Sequence, residues 1–417
     1  MKIASAGDAL REILAAVGVQ PSLRVPLADA IGHVLAQDVV AAIALPPWTN
    51  AAMDGYAARA VDVRGATRAL PRRLIVSDAI AAGASTDRVL QPGEAVRIYT
   101  GARVPVGADS VIRQEDTDGG VGAVMVHDAR DAAMNVRPAG GDLARGTVAV
   151  TTGTAVEPRH VAVMAALGVA NPMVYRRPRV AILSTGDEVV PLDHPEDILA
   201  GRRLADVNGP AIAALVTQAG GIAVPLGIAP DDAAELQRIV ATAGDADLLI
   251  TAGGASVGDH DHVRSVMAAC GVVTRFDRVR VRPGGPTVFG LWPDGRIWLA
   301  LPGNPVSAMV TFELFGRPAI RAMSGHRQAA RSTVPLTLRD AVPRDPVLEQ
   351  YLRCTLTWPA NERHPVATLT GAQGSGMLMS MVRADCLAIV PAGDGPLPAG
   401  SVVQALCFDH VLPVLTF

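Results

Sequence analysis

The chain has 417 residues, 49% of them hydrophobic and 18% charged, which excludes a disordered polymer and leaves room for about three domains. A net charge of −3 argues against a general nucleic-acid binder, and an aromatic content of 3% against a base-stacking surface. Lys2 is the sole lysine, so arginine supplies almost all the positive charge.

The opening stretch, MKIASAGDALREIL, has the pattern of an amphipathic helix and lacks the apolar core of a signal peptide. Cys270, Cys354, Cys386 and Cys407 are widely spaced, with no C-x-x-C, as in a reduced cytosolic protein. The longest uncharged segment, 207–230, contains four glycines and three prolines and cannot cross a membrane as a helix. These features predict a cytoplasmic protein with no membrane partner.

Up to Tyr175, apolar runs are short and turns frequent. VRIYTGARVP, DSVIRQED and GAVMVHD read as strands, and EPRHVAVMAALGV as a helix. Beyond Pro178 the pattern becomes regular. Strands are predicted at 179–183, 222–228 and 247–251. Helices are predicted at 210–218 with Asn208 as cap, from Asp231 to about 243, and near 261–269. This β-α-β-α-β order specifies a doubly wound parallel sheet. Further strands fall at 288–289 and 297–301, then a helix from Asn304-Pro305 to about Met323. From about Gln328 the chain is strand-rich, with Pro/Gly turns, and reads as a small all-β domain.

Ligands of a doubly wound sheet bind beyond the carboxyl ends of its strands. Three segments with small residues and free amides lie there: STGDEVV at 184–190, TAGGASVGDHD at 251–261 and LPGNPVS at 301–307. Gly253, Gly254 and Gly258 allow close backbone approach to an anion, with Ser184, Gly186 and Ser256 beside them. Pro302 and Gly303 lead into a helix for which Asn304 is a candidate cap. Pro305 suits its first position, and Ser307 adds a hydroxyl to its N-terminus. Each segment alone could be a plain strand-to-helix turn; three at one end of one sheet favour a site. Asp187, Glu188, Asp206 and Asp259 accompany them, and carboxylates beside a phosphate site point to Mg²⁺. In the N-terminal half, PPWTNAAMDGYA puts Asp54 in a tight turn, where turn formation is the simpler reading. Thr100 and Asp142 carry no local signal of their own. No G-x-S-x-G or G-x-x-x-x-G-K-[ST] occurs, and no histidine pair has zinc spacing.

Taken together, PPWTNAAMDGYA, RIYTGARVPVGADSVIRQED, VRPAGGDLARG, RRPRVAILSTGDEVV, DVNGPAIAALV, TAGGASVGDHD, VRPGGPTVFG and LPGNPVSAMVTFE resemble one family in content and order. It is the molybdopterin molybdenumtransferases, which comprise the bacterial MoeA proteins and the E domain of gephyrin. GSGMLMSMVRADCLAIVPAG extends the resemblance into the last domain. The resemblance implies a linking helical and strand region at 1–51 and 139–177, and a β-rich domain at 52–138. It places a doubly wound molybdopterin-binding domain at 178–326 and a C-terminal β-barrel at 327–417. It implies a homodimer that inserts molybdate into adenylylated molybdopterin, with Mg²⁺ or a similar divalent cation, and releases AMP. A molybdopterin adenylyltransferase would supply the substrate, and molybdoenzymes or their chaperones would receive the product.

By position, the family motifs make Asp54, Thr100, Asp142, Asp187, Asp206 and Asp259 catalytic. Asp187, Glu188 and Asp259 become metal ligands. Substrate contacts fall to Ser184, Gly186, Gly253, Gly254, Ser256, Gly258, Arg282, Pro302, Gly303, Asn304, Pro305 and Ser307. The chain departs from the pattern at Arg282-Pro283-Gly284-Gly285-Pro286, where the family usually has K-P-G-K-P, and at Gly141, where many members have Glu. An adenylyltransferase would be one small domain with T-G-G-T-G in place of Gly253-Gly254-Ala255-Ser256. A pterin-binding scaffold would have no need of the retained acids.

Overall fold

The computed structural model describes residues 3–193, 195–254, 262–359 and 362–409. Its central unit is a six-stranded sheet. In spatial order the strands are Ile222–Ala229, Arg179–Thr185, Leu248–Ala252, Ile297–Leu301, Val288–Leu291 and Val273–Phe276. The first four run parallel. Every residue of Leu248–Ala252 and Ile297–Leu301 is buried, as expected for strands covered on both faces. Alternate residues feed two cores. Val180, Ile182, Leu248 and Ile250 pack with Ile212 and Val216 of the Asn208–Gln218 helix. Ala181, Leu183, Leu249 and Trp298 pack with Leu236 and Val240 of the Ala233–Ala241 helix and Val266 of the His262–Ala269 helix. The doubly wound layering expected from the sequence is present. Val288–Leu291 runs antiparallel to both its neighbours, Val273–Phe276 and Ile297–Leu301, and a short return, not a helical crossover, joins it to the latter.

Two predicted caps shift by a residue or two. Asn208 opens its helix, but Asp206 does the capping: its Oδ1 accepts from Gly209 N at 2.9 Å. Asp232, not Asp231, caps the next helix through Glu235 N at 2.8 Å. The long helix expected from Asn304 to Met323 comprises Pro305–Thr311, a π-helical turn at Phe312–Gly316 and Arg317–Met323. Ile3–Ala4 pairs with Arg278–Val279, and the amphipathic Ala6–Ala16 helix buries Ala9 and Ile13 in the central core.

Between 52 and 138 a five-stranded sheet has the order Ser110–Arg113, Gly55–Ala58, Glu94–Ile98, Arg72–Ile80, Ala123–Val126. The chain enters and leaves it through short antiparallel pairs, Val39–Val40 with Val148–Val150 and Asn50–Ala51 with Val136–Arg137. The Pro158–Ala166 helix contributes Met164 to the small core there. Among the described residues, no hydrogen bond or ion pair joins 52–138 to the central unit.

The last strands close into a five-stranded barrel. Glu349–Thr357 pairs with Val366–Leu369 on one side and Cys386–Val390 on the other. Thr333–Leu338 and Val402–Cys407 complete the ring. Closure removes the exposed sheet edges. Val281–Arg282 adds a parallel pairing to Glu349–Gln350 and ties barrel to central unit. All four cysteines are free thiols, and three are buried in the barrel.

Candidate active site

At the carboxyl ends of the parallel strands, the Ser184–Gly186, Gly253–Gly254 and Pro302–Asn304 turns lie against one another. A Cβ on Gly253 would stand 2.8 Å from Thr185 O, and one on Gly303 would stand 3.4 Å from Gly253 Cα. Gly253 has φ +97°, so this turn needs glycine for both space and conformation. Thr185 Oγ1 is buried there and has no hydrogen-bond partner among the described residues. Asn208 Nδ2 donates to Gly303 O at 2.7 Å and fixes the third turn.

The acids around these turns are divided by role. Asp206 accepts from Ser184 Oγ at 2.8 Å as well as from Gly209 N. It is therefore bound into the sheet end as a cap. Asp187 and Glu188 are exposed. Asp187 Oδ1 accepts from Asp231 N at 3.0 Å, and its backbone carbonyl accepts from Arg203. Ser256, Gly258 and Asp259 lie outside the described residues. Among the described residues, no three His, Cys, Asp or Glu side chains are grouped as metal ligands. Two exposed carboxylates on one strand-end turn have the hard oxygen chemistry that a divalent cation such as Mg²⁺ takes.

A cavity of about 620 Å³ adjoins the third turn. Its floor is the start of the Pro305–Thr311 helix, with Pro302, Asn304 and Ser307, and one wall is the 282–286 turn. Asn304 occupies the cap position, but its side chain makes no capping bond. Instead, Val306 N donates to Ser375 O of the barrel at 3.2 Å. The opposite wall is Leu348, Gln373, Gly374 and Ser375. Sequence reasoning assigned none of these barrel residues to the site, although Gly374 and Ser375 open the GSGMLMSMVRADCLAIVPAG segment of the family resemblance. Gly284 sits under the cavity at φ +113°, where a Cβ would meet Thr311 Cγ2 at 2.1 Å. Arg282 stands at the rim, its side chain 68% exposed and 3.7 Å from Asp345 Oδ2. The backbone N–H groups of Val347 and Leu348, and then Arg282, hold the Asp345 carboxyl below its usual range.

In the β-rich unit, Asp54 and Thr100 meet. Asp54 Oδ1 accepts from both Thr100 N and Thr100 Oγ1 at 2.7 Å. The Thr100 side chain, then its backbone N–H, holds the Asp54 carboxyl below its ordinary value, and Arg97 adds to this. Arg97 is a residue the sequence analysis passed over. It donates to Tyr56 OH at 2.8 Å and Gln114 Oε1 at 2.9 Å, with Tyr56 and Tyr99 rings against its guanidinium. Asp142 lies elsewhere, exposed in the linking region, where its backbone N donates to Leu45 O at 3.0 Å. Within one chain there are thus two polar centres, Asp54–Thr100 and the sheet-end turns with their cavity, and Asp142 belongs to neither.

Comparison with known proteins matches this layout. A family model described as the MoeA N-terminal region, domains I and II, matches residues 4–168. One described as a probable molybdopterin binding domain matches 181–322, and one for the MoeA C-terminal region, domain IV, matches 335–408. The chain is 35% identical over 386 residues to a molybdopterin molybdenumtransferase of Nostoc sp., covering 92% of this chain and 88% of that protein. It is 38% identical over 370 residues to molybdopterin molybdenumtransferase 2 of Mycobacterium tuberculosis, covering 84% and 89%. A crystal structure of the molybdopterin biosynthesis MoeA protein of Pyrococcus horikoshii superposes with TM-score 0.81 at 26% identity, covering 98% of this chain and 100% of that one. In the described residues, no helix is long and apolar enough to cross a membrane.

Proposed function

The chain belongs to the MoeA family, and from that premise we propose that it inserts molybdate into adenylylated molybdopterin, releasing AMP and the finished molybdenum cofactor. The observation that carries this reading is the donor-rich cavity at the carboxyl ends of the parallel strands. The Ser307 hydroxyl, Gln373 and Arg282 line it beside the start of the Pro305–Thr311 helix. Such a wall suits an oxyanion, and molybdate and the substrate phosphates are oxyanions. The dithiolene of the substrate brings the sulfur ligands for molybdenum, so no cysteine is required near the cavity.

Asp187, Glu188 and Asp259 would hold Mg²⁺, which would supply charge stabilisation to the departing AMP phosphate. Ser184, Gly186, Gly253, Gly254, Ser256 and Gly258 would cradle the substrate through backbone amides. Pro302, Gly303, Asn304, Pro305 and Ser307 would present the helix start, and Asp206 would keep the first turn in register. Among the described residues, Asp54 and Thr100 belong to a unit with no polar contact to this cavity in the same chain. A homodimer in which the β-rich unit of one subunit faces the sheet end of the other would unite them. Asp142 would act from the linking region. An adenylyltransferase upstream and molybdoenzymes or their chaperones downstream complete the setting.

The direct test supplies the pure protein with adenylylated molybdopterin, molybdate and Mg²⁺ and measures AMP. The reading predicts AMP release that depends on molybdate and accompanies molybdenum uptake. Binding of the substrate without AMP release would support a scaffold instead.

A further inference from the structure

We propose that Arg317, Arg321 and Arg331 form a second anion site, built for the phosphate group of a small phosphorylated molecule and separate from the cavity beside Ser307. The three line a cavity of about 370 Å³ with Gln328, Ser332 and Asp409, where the Arg317–Met323 helix meets the barrel. Arg317 is 7% exposed. Its Nε and Nη1 are buried and reach no hydrogen-bond partner among the described residues. Its nearest acids stand at long range, Glu313 Oε2 at 4.0 Å and Asp409 Oδ2 at 3.8 Å. Both acids are already engaged by Arg331, which donates to Glu313 Oε2 at 2.7 Å and also to Asp409. Among the described residues, Arg321 donates through Nε to Gln328 O at 3.3 Å and through no other nitrogen.

Among the described residues, three guanidiniums and two carboxylates leave one positive charge in excess in a largely buried place. Buried charge without a partner is costly, and a structural ion network would be expected to neutralise itself. The excess acts on its neighbours. Burial, then Arg321 and Arg317, push His326 down to about 4, so it stays neutral and adds no charge. Burial and the mutual repulsion of the arginines also lower Arg317 and Arg321 from the ordinary arginine value. An anionic tetrahedral group supplies what is missing: negative charge and acceptors for forked guanidinium donors. The volume exceeds that of a bare tetrahedral ion and falls within the range of small-molecule sites. The place is distinct from the first cavity. Ser307 and Arg317 are ten residues apart on one helical run, or about 15 Å along its axis.

The test uses the full-length protein carrying Arg282→Ala, which weakens the first cavity, and titrates inorganic phosphate and AMP by calorimetry. Saturable binding of either that weakens at least ten-fold on adding Arg321→Gln, and equally on adding Arg317→Gln, supports the site. Tighter binding of AMP than of phosphate identifies an organic phosphate as the ligand, and equal binding identifies the free ion. Circular dichroism and melting check the fold. If Arg317→Gln fails to fold, Arg321→Gln, at the partly exposed edge, decides alone. Absence of binding, or binding indifferent to Arg321→Gln, overturns the proposal.

Discussion

Asp54 with Thr100 and the cavity beside Ser307 treat charge in opposite ways. Asp54 is an exposed carboxylate kept ionised by two donors from a single residue, with Arg97 near it. The cavity has a hydroxyl, an amide side chain and arginines in its wall, and its nearby acid, Asp345, is occupied by backbone N–H groups. One centre offers negative charge on a turn; the other offers donors in a hollow. An oxyanion fits the second and would be repelled by the first. A reaction that moves both an oxyanion and a cation-bound phosphate needs the two together. On the proposed function, the difference is the reason that both units would be required.

The comparison can be broken first at the metal-side acids. Asp187→Asn keeps an acceptor for Asp231 N but removes the charge, and Asp259→Asn removes the charge of the second acid. Turnover with Mg²⁺ should fall by at least ~10²-fold in each, in keeping with lost metal-based stabilisation. Normal AMP release from both would remove the metal from the account. Next comes the scaffold of the hollow. Gly253→Ala must take φ +97° and force a methyl against Thr185 O, which should cost about 1–3 kcal/mol in urea unfolding. An unchanged midpoint would mean that the turns are not closely stacked.

Arg282→Ala should raise the KM for an anionic substrate about ten-fold, the loss of one charge-assisted hydrogen bond, while Arg282→Lys stays close to wild type. A silent Ala variant would make Arg282 a solvated rim residue held only by Asp345. The smallest effect concerns pH. Thr100→Val removes the hydroxyl donor that does most to lower the Asp54 carboxyl. A depressed carboxyl stays ionised until pH falls through its folded value. The acid limb of the activity profile should therefore move to higher pH in the variant. An unmoved limb would separate Asp54 from the titration.

The central unit was legible because its strands are buried on both faces and read as unbroken apolar runs, with turn residues where each run stops. The antiparallel edge was not, since Val288–Leu291 looks the same whichever way it runs. The cap moved from Asn208 to Asp206 because either residue can cap a helix, and the Asp206 contact with Ser184 is tertiary. The place of Gln373, Gly374 and Ser375 at the cavity was missed for a related reason. They reach the cavity through barrel closure and the Val281–Arg282 pairing, which no local pattern encodes. The Asp54–Thr100 bond spans 46 residues, and the family resemblance alone connected the two beforehand.

The account turns on the two centres acting as one site across a dimer. Asp54→Ala and Asp259→Ala homodimers should each be nearly inactive. Co-expressing the two lets half the dimers form as mixed pairs, each with one doubly altered site and one intact site. AMP release by the mixture should then recover to roughly a quarter of wild type. A mixture that contains demonstrated heterodimers and still releases no AMP would contradict the shared site.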